Sequence, residues 1–169
     1  MFVFSRWVYV TMAIILVLGG LSLWYLQRDT DEMQIRRTLR SLAALGSRQP
    51  DETPAAVALK LNQTDRVFAP ECSIDVDQSM FTGATTPAEL TGILTRYQGM
   101  FREVKAEIRD LEITVTAPDA ATATFSGSLL GEFRSGEKLT ESRDLICHLK
   151  RIDGRWLIDR IALLEVLKK

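Results

Sequence analysis

The hydrophobic pattern begins with twenty residues, from Trp7 to Leu26, that contain no charged side chain. A helix of this length spans roughly the 30 Å hydrocarbon core of a bilayer. Aromatic residues typical of the two membrane interfaces stand near its ends, namely Trp7, Tyr9, Trp24 and Tyr25. The pattern predicts a short tail at residues 1–6, a transmembrane anchor at 7–27 that holds the chain in a lipid bilayer, and one domain at 28–169.

A cleaved signal peptide is the alternative for this stretch. The apolar run is longer than the usual signal-peptide core of about 7–15 residues, and no small-residue cleavage site follows it. Arg6 and the N-terminal amine favour a cytoplasmic N-terminus, whereas Arg28 and the arginines after it argue for the reverse. Because long domains cross membranes largely regardless of charge, we expect a single-pass protein of the bacterial inner membrane with a periplasmic domain.

Beyond residue 28, apolar positions recur at helical spacing in three segments. The first begins at Asp29 or Thr30 and ends at Gly46, and the second begins at Thr53. The third begins with a capping box, in which Thr86 and Glu89 bracket the first turn. The expected inward positions are Met33, Ile35, Leu39 and Leu42 in the first, Val57, Leu61, Val67 and Phe68 in the second, and Leu90, Ile93, Leu94, Tyr97 and Phe101 in the third.

After Phe101 the apolar positions alternate, as in β-strands. The strand from Val104 to Thr116 changes its apolar face at Arg109 and Asp110, which is what a β-bulge produces. The pair Asp153-Gly154 predicts a tight hairpin turn. One apolar face per strand predicts an antiparallel sheet that helices cover on one side, an α+β architecture.

Three local sequences are informative together, namely Phe68 to Val76, Phe81-Thr82-Gly83 with the following Thr86-Pro87, and Ile152 to Ile158. They resemble the nuclear transport factor 2-like, or cystatin-like, family, and the resemblance covers residues 30 to 167. The resemblance implies a cone-shaped curved antiparallel sheet with three helices, here preceded by one transmembrane helix. The family includes ketosteroid isomerases and SnoaL-like cyclases. Val76 stands where the isomerases have their general base, and the first helix has no tyrosine for their oxyanion hole.

The charge of the domain is nearly balanced, because 20 of the 21 Lys and Arg residues and all 22 acidic residues follow the anchor. Without a basic stripe, nucleic acid is not an expected partner. No polybasic run follows the anchor, so the sequence does not indicate recognition of anionic lipid. Cys72 and Cys147 could pair in an oxidising compartment or could be two buried thiols.

The sequence contains no recognisable catalytic set, metal-ligand spacing or phosphate-binding loop. We therefore expect no cofactor and no metal, and we assign no catalytic residue. Residues expected to line a cavity between sheet and helices are Tyr97, Phe101, Phe125, Cys147 and Trp156. Residues expected to form an interface on the polar sheet face are Thr122, Thr124, Ser126, Ser128 and the single histidine, His148.

Two functions fit these features. In the first, the domain is a membrane-anchored accessory or assembly protein that binds a protein partner or a second copy of itself. In the second, a membrane-tethered domain binds a small apolar ligand in its cavity or acts as a SnoaL-like enzyme. Because an enzyme needs a positioned acid or base and the expected lining is almost wholly apolar, the sequence favours the first.

Overall fold

The computed structural model describes residues 31–77 and 81–164. The predicted anchor, including its four aromatic residues, lies outside these ranges. Among the residues that the structure describes, no helix is long and apolar enough to cross a membrane. The helices are α1 (residues 31–46), α2 (Pro54–Leu61) and α3 (Pro87–Met100). The strands are β1 (Phe68–Asp77), β2 (Phe81–Thr85), β3 (Phe101–Ala117), β4 (Ala120–Phe133), β5 (Lys138–Ile152) and β6 (Arg155–Leu163).

The six strands form one curved sheet in the order β2-β1-β6-β5-β4-β3. The α+β class and the three helices are as predicted. All neighbouring strands are antiparallel except β1 and β6, which pair in parallel. These two strands are far apart in the sequence, so no short turn fixes their relative direction. The prediction of a wholly antiparallel sheet was therefore wrong for the pairing of β1 with β6.

The helices cover one face of the sheet and supply about a third of the described core. Ile35 and Leu39 of α1 are at most 1% exposed and belong to the same buried cluster as Leu61 of α2 and Leu90 of α3. Residues from the central strands complete the cluster, and they include Ala121, Ala123, Phe125, Cys147, Leu149, Trp156, Ile158 and Ile161. Burial of apolar area, the main favourable term in folding, thus holds the two layers together.

Three local predictions are confirmed. The Thr86 hydroxyl accepts from the Glu89 backbone N–H, and the Glu89 carboxylate accepts from the Thr86 N–H, so the capping box opens α3. The β5–β6 turn has positive φ at both Asp153 (49°) and Gly154 (76°), as a tight hairpin turn requires. The register of β3 against β4 shifts after Arg109, which confirms the bulge.

Four predicted helical positions are wrong. Val67 and Phe68 are buried but lie beyond α2, because the Val67 carbonyl accepts from Ile158 N–H (2.8 Å) as β1 joins β6. Met33 is 55% exposed, because it stands two residues before the buried Ile35 and therefore lies on the opposite side of the helix. Phe101 is the first residue of β3, with extended backbone angles, although its side chain is fully buried.

Candidate functional site

The residues predicted to line a cavity lie in the interior of the domain. Phe125, Cys147 and Trp156 belong to the main core cluster and are at most 4% exposed. Phe101 is fully buried and its ring lies 4.8 Å from that of Tyr97, which is half-buried. The structure therefore brings three of the five into one apolar cluster and joins the other two in an aromatic group.

Neighbouring atoms lie close to β4 at two glycines on the same face of the strand. A methyl group added at Gly131 would lie 3.2 Å from Phe101 Cδ1 and 2.9 Å from the backbone oxygen of Glu103. At Gly127 the end of the Leu145 side chain would be 3.0 Å away. Because glycine has no Cβ, neighbouring atoms can occupy this space next to the sheet.

Buried polar groups in the interior are engaged in structural bonds. Asp31 at the start of the described part of α1 is 4% exposed, and its Oδ1 accepts from Trp156 Nε1 at 3.1 Å. Arg151 Nη1 lies 3.2 Å from the same oxygen. The carboxylate is thus paired and hydrogen-bonded, as a buried charge must be. This contact joins the first described turn of α1 to the β5–β6 hairpin.

The two thiols have no environment that would activate them. Burial raises the pKa of Cys147 to about 12, and burial followed by the charge of Asp159 raises the pKa of Cys72 to about 11. Both are free cysteines, and Cys72 Sγ lies 3.4 Å from the Thr85 carbonyl oxygen. Because the thiolate is the nucleophile, these raised pKa values disfavour both cysteines as nucleophiles near neutral pH.

Tyr97 carries the one hydroxyl among the predicted cavity residues. Its Oη is buried and has no hydrogen-bond partner within the described part of the chain. Burial, and then the charge of Glu141, raise the pKa of Tyr97, so the phenol stays protonated and can donate a hydrogen bond. A buried donor without a partner is uncommon in folded proteins, which distinguishes this hydroxyl from the other predicted cavity residues.

The residues predicted to form an interface do lie together. Thr122, Thr124, Ser126 and Ser128 occupy alternate positions of β4, and His148 of β5 pairs directly with Thr122. All five are half-buried. Ser126 Oγ donates to Asp144 Oδ1 at 2.6 Å, whereas the buried Ser128 Oγ has no partner among the described residues.

Two surface depressions were not anticipated from the sequence. A groove of about 690 Å³ runs between the start of α3 and the β5–β6 hairpin, with Pro87, Thr91 and Arg155 among its lining residues. A recess of about 200 Å³ lies between α1 and the bulge of β3. Each is lined by segments distant in sequence, so no local motif could have revealed it. Over residues 31–77 and 81–164, no three His, Cys, Asp or Glu side chains are grouped as a metal site would require.

Comparisons with known proteins extend the description of the fold. No family model matches the chain, and no curated protein matches it. Among solved structures, the Kfla4162 protein from Kribbella flavida has a TM-score of 0.67 at 14% identity, over 80% of this chain and 90% of that one. An NTF2-like protein with a cystatin-like fold from Novosphingobium aromaticivorans has a TM-score of 0.61 at 16% identity, over 88% and 90%.

A third similar structure, described as a candidate scytalone dehydratase from Novosphingobium aromaticivorans, has a TM-score of 0.60 at 13% identity and covers 83% of this chain and 87% of that one. At such identities the likeness shows the architecture alone. This architecture carries many activities, so it does not indicate one of them. The domain therefore has the cystatin-like fold of the nuclear transport factor 2-like proteins.

Proposed function

We propose that the chain is a single-span, membrane-anchored accessory protein whose extracytoplasmic domain binds a protein partner or a second copy of itself. The observation that carries the proposal is the filled interior. Phe101, Phe125, Cys147 and Trp156 are buried against their neighbours, and Cys147 is held far from its thiolate form. Reaction chemistry needs a positioned acid or base beside an accessible space, which these residues do not provide.

The anchor is proposed from the apolar stretch at residues 7–27, with the domain on the periplasmic side of a bacterial inner membrane. Three residues would separate this anchor from Asp31, which is bonded to Trp156 and Arg151. Such a short connection would hold the domain close to the bilayer surface. A partner would then be found among proteins that are themselves in, or next to, that membrane.

The proposed contact surface is the sheet face that the helices leave uncovered. Its Thr and Ser side chains are short and half-buried, which makes the strands accessible to a flat partner. The charges that flank the face are of both signs and pair with each other, as in Lys105 with Glu107 (2.6 Å) and Lys150 with Asp159 (2.8 Å). A partner could also satisfy the Ser128 hydroxyl, since a buried hydroxyl without a bond costs free energy.

The test uses the full-length chain in a neutral detergent. The double variant, Thr122→Arg with Thr124→Arg, would place two long charged side chains on the proposed contact surface. Thr95→Arg, on an exposed position of α3, is the control for added charge. Chemical cross-linking in membranes, followed by purification and light scattering, measures the complex or dimer. We expect the double variant to lose it and the control to keep it.

Two results would count against this function. An equal yield of complex from the double variant would remove the sheet face from the proposal. If alkaline carbonate extracts the wild-type chain from membranes, the proposed transmembrane anchor is wrong, because a spanning helix resists that treatment.

The Tyr97 hydroxyl favours a second candidate, a small-ligand binder or SnoaL-like enzyme. The likeness to a candidate scytalone dehydratase is consistent with it at the level of fold. A ligand with a carbonyl or ether oxygen could accept from Tyr97 Oη, which has no partner in the described residues. In a thermal-shift screen of such ligands, Tyr97→Phe should abolish any stabilisation. A ligand that stabilises both proteins equally does not use this group.

A further inference from the structure

Strand β3 lies at one edge of the sheet, and the first half of that edge is covered by the segment after α1. The Arg48 N–H donates to the Val104 carbonyl at 2.7 Å, and the Val104 N–H donates to the Arg48 carbonyl at 3.0 Å. The Ala106 N–H donates to the Ser47 hydroxyl at 2.9 Å. Val104 thus directs both of its backbone groups away from β4, and both are bonded.

The second half of β3, residues 111–117, has no such cover among the described residues. We call these residues the open edge. It lies between the register shift that follows Arg109 and the turn that leads to Ala120. At about 3.3 Å per residue, it is roughly 20 Å long. An uncovered edge presents a row of backbone donors and acceptors with which another strand can pair.

The bulge decides which residues of the open edge direct their backbone groups outward. This direction alternates along an antiparallel strand, so even-numbered residues share the direction of Val104 up to the bulge. From Arg109 to Glu112 the strand advances three residues, while β4 advances two, from 126 to 124. The extra residue reverses the alternation. Ile113 and Val115 therefore direct their N–H and carbonyl groups to the open side.

The side chains of the open edge also suit strand pairing. Residues 113–116 are all β-branched, with the sequence Ile-Thr-Val-Thr, and Glu112 is the one charged residue in 111–117. Edges that avoid pairing contain Pro or Lys, and this segment has neither. Ile113 and Val115 pack against the core but are only half-buried. A second strand beside them would extend the apolar surface across the edge.

We propose that the open edge pairs with the open edge of a second copy, antiparallel and about a two-fold axis at Thr114. In this register Ile113 lies opposite Val115 of the second copy, and Val115 lies opposite its Ile113. Each of these pairs can exchange two N–H···O bonds, because all the groups involved point outward. Thr114 faces Thr114, which is a favourable cross-strand pair. Glu112 faces Thr116, so no like charges oppose each other.

The two ends of the open edge favour a second copy as its occupant. In the two-fold register, residue 111 of one copy lies opposite residue 117 of the other. The turn of each copy then lies beside the bulge of its neighbour, and the whole open edge is paired. A longer strand from another protein would have to pass the bulge, where the row of outward groups is interrupted. Val104, which is bridged to Arg48, lies roughly 33 Å from the axis and outside the overlap.

This contact goes beyond the proposed function, whose partner lies on the sheet face, and it requires neither that face nor the anchor. Two paired strands of this length bury less than a stable interface of about 1,600 Å². We therefore expect the paired form to exchange with the monomer. Cross-linking is the suitable measurement, because it traps a contact that forms and separates.

The test places single cysteines on the open edge of the full-length chain, purified in dodecyl maltoside. Thr114→Cys puts a thiol on the axis, directly opposite its own copy and within reach of a disulfide. Thr116→Cys is the matched control, because it is also exposed and on the same face of β3. Its two copies would be four residues apart along the strands, roughly 13 Å, which is too far for a disulfide. The native Cys72 and Cys147 are buried, so they do not compete.

With copper phenanthroline as the oxidant, non-reducing gels measure the rate at which a covalent dimer forms. We expect Thr114→Cys to cross-link at least about tenfold faster than Thr116→Cys, because only the first pair of thiols lies within disulfide distance.

Proline at position 115 tests the backbone bonds separately. Val115→Pro removes an N–H that points away from β4, which edge strands tolerate. Val115→Ala shortens the side chain and keeps the N–H. The axis makes the donor missing in both copies, so in the Thr114→Cys chain we expect the proline to slow cross-linking about tenfold relative to the alanine. Circular dichroism verifies folding, and if the proline variant does not fold, the two cysteines decide the question.

Three results would overturn the proposal. Absence of a covalent dimer from Thr114→Cys would mean that the open edge does not pair with a second copy, whatever other strand it accepts. Equal rates for Thr114→Cys and Thr116→Cys would mean random collision. Equal cross-linking with proline and alanine at Val115 would mean that backbone bonds do not hold the contact.

The two proposed surfaces can fail independently. Cross-linking of Thr114→Cys that persists in the double variant of Thr122 and Thr124 would assign this contact to the edge. Loss of the complex in that double variant, with no cross-linking at Thr114, would retain the sheet face and remove the edge.

Discussion

The filled interior makes a quantitative prediction at Gly131. A methyl group there would lie 2.9 Å from the Glu103 backbone oxygen and 3.2 Å from both Phe101 Cδ1 and Val104 Cβ, whereas ordinary contacts begin at 3.4 Å. Overpacking of a core costs about 1–3 kcal/mol, and replacing glycine returns about 0.4–1 kcal/mol through the unfolded chain. Gly131→Ala should therefore lose about 1–2 kcal/mol of stability.

Gly92 is the matched control. It lies in α3 with no atom within 4 Å of an added methyl group. Because alanine favours a helix, Gly92→Ala should gain about 0.5–1 kcal/mol. Thermal unfolding followed by circular dichroism should show a Tm lower by roughly 3–10 °C for Gly131→Ala, and higher by a few degrees for Gly92→Ala.

The reasoning fails if Gly131→Ala is as stable as the wild-type chain while Gly92→Ala behaves as expected. That result would mean that there is free space beside Gly131 of β4. A free space next to Phe101 would weaken the accessory-protein proposal and favour the ligand-binding alternative.

Three further outcomes follow from the local contacts. Thr86→Ala removes the α3 cap and should cost about 1 kcal/mol in denaturant unfolding, whereas Thr95→Ala on the same helix should change stability by less than about 0.5 kcal/mol. Burial opposes the ionised form of Glu52, but its bonds to Lys60 and to a backbone N–H outweigh this and lower its pKa. Its contribution is thus present near neutral pH and is lost as the pH falls through its folded value, so Glu52→Gln should be less stable than wild type at pH 7 and equally stable in acid. Cys147 should resist a thiol reagent at pH 8 until denaturant unfolds the domain, and rapid labelling of the folded protein would contradict its burial.

Local sequence was sufficient wherever one turn or one strand decides the geometry. The Thr86 capping box, the Asp153-Gly154 turn and the bulge at Arg109 each depend on residues that are neighbours in the chain. The alternation that placed Thr122 and Ser126 on one face of β4 is likewise a property of any extended strand. These features predicted the α+β class and the order of the elements.

Packing between distant segments decided what those patterns left open. Val67 continues the apolar pattern of a helix, but its carbonyl accepts a hydrogen bond from Ile158 N–H of β6. A list of apolar residues around Phe125 could describe a cavity or a core, and the difference depends on whether side chains such as Leu145 reach across Gly127.

The sequence by itself therefore determined which elements form and which of their faces are apolar, because those are consequences of nearest-neighbour geometry. The tertiary structure alone determined the parallel pairing of β1 with β6, the filling of the interior and the bond from Trp156 to Asp31. Each of these depends on distances between residues tens of positions apart, and such distances are fixed only when the layers pack against each other.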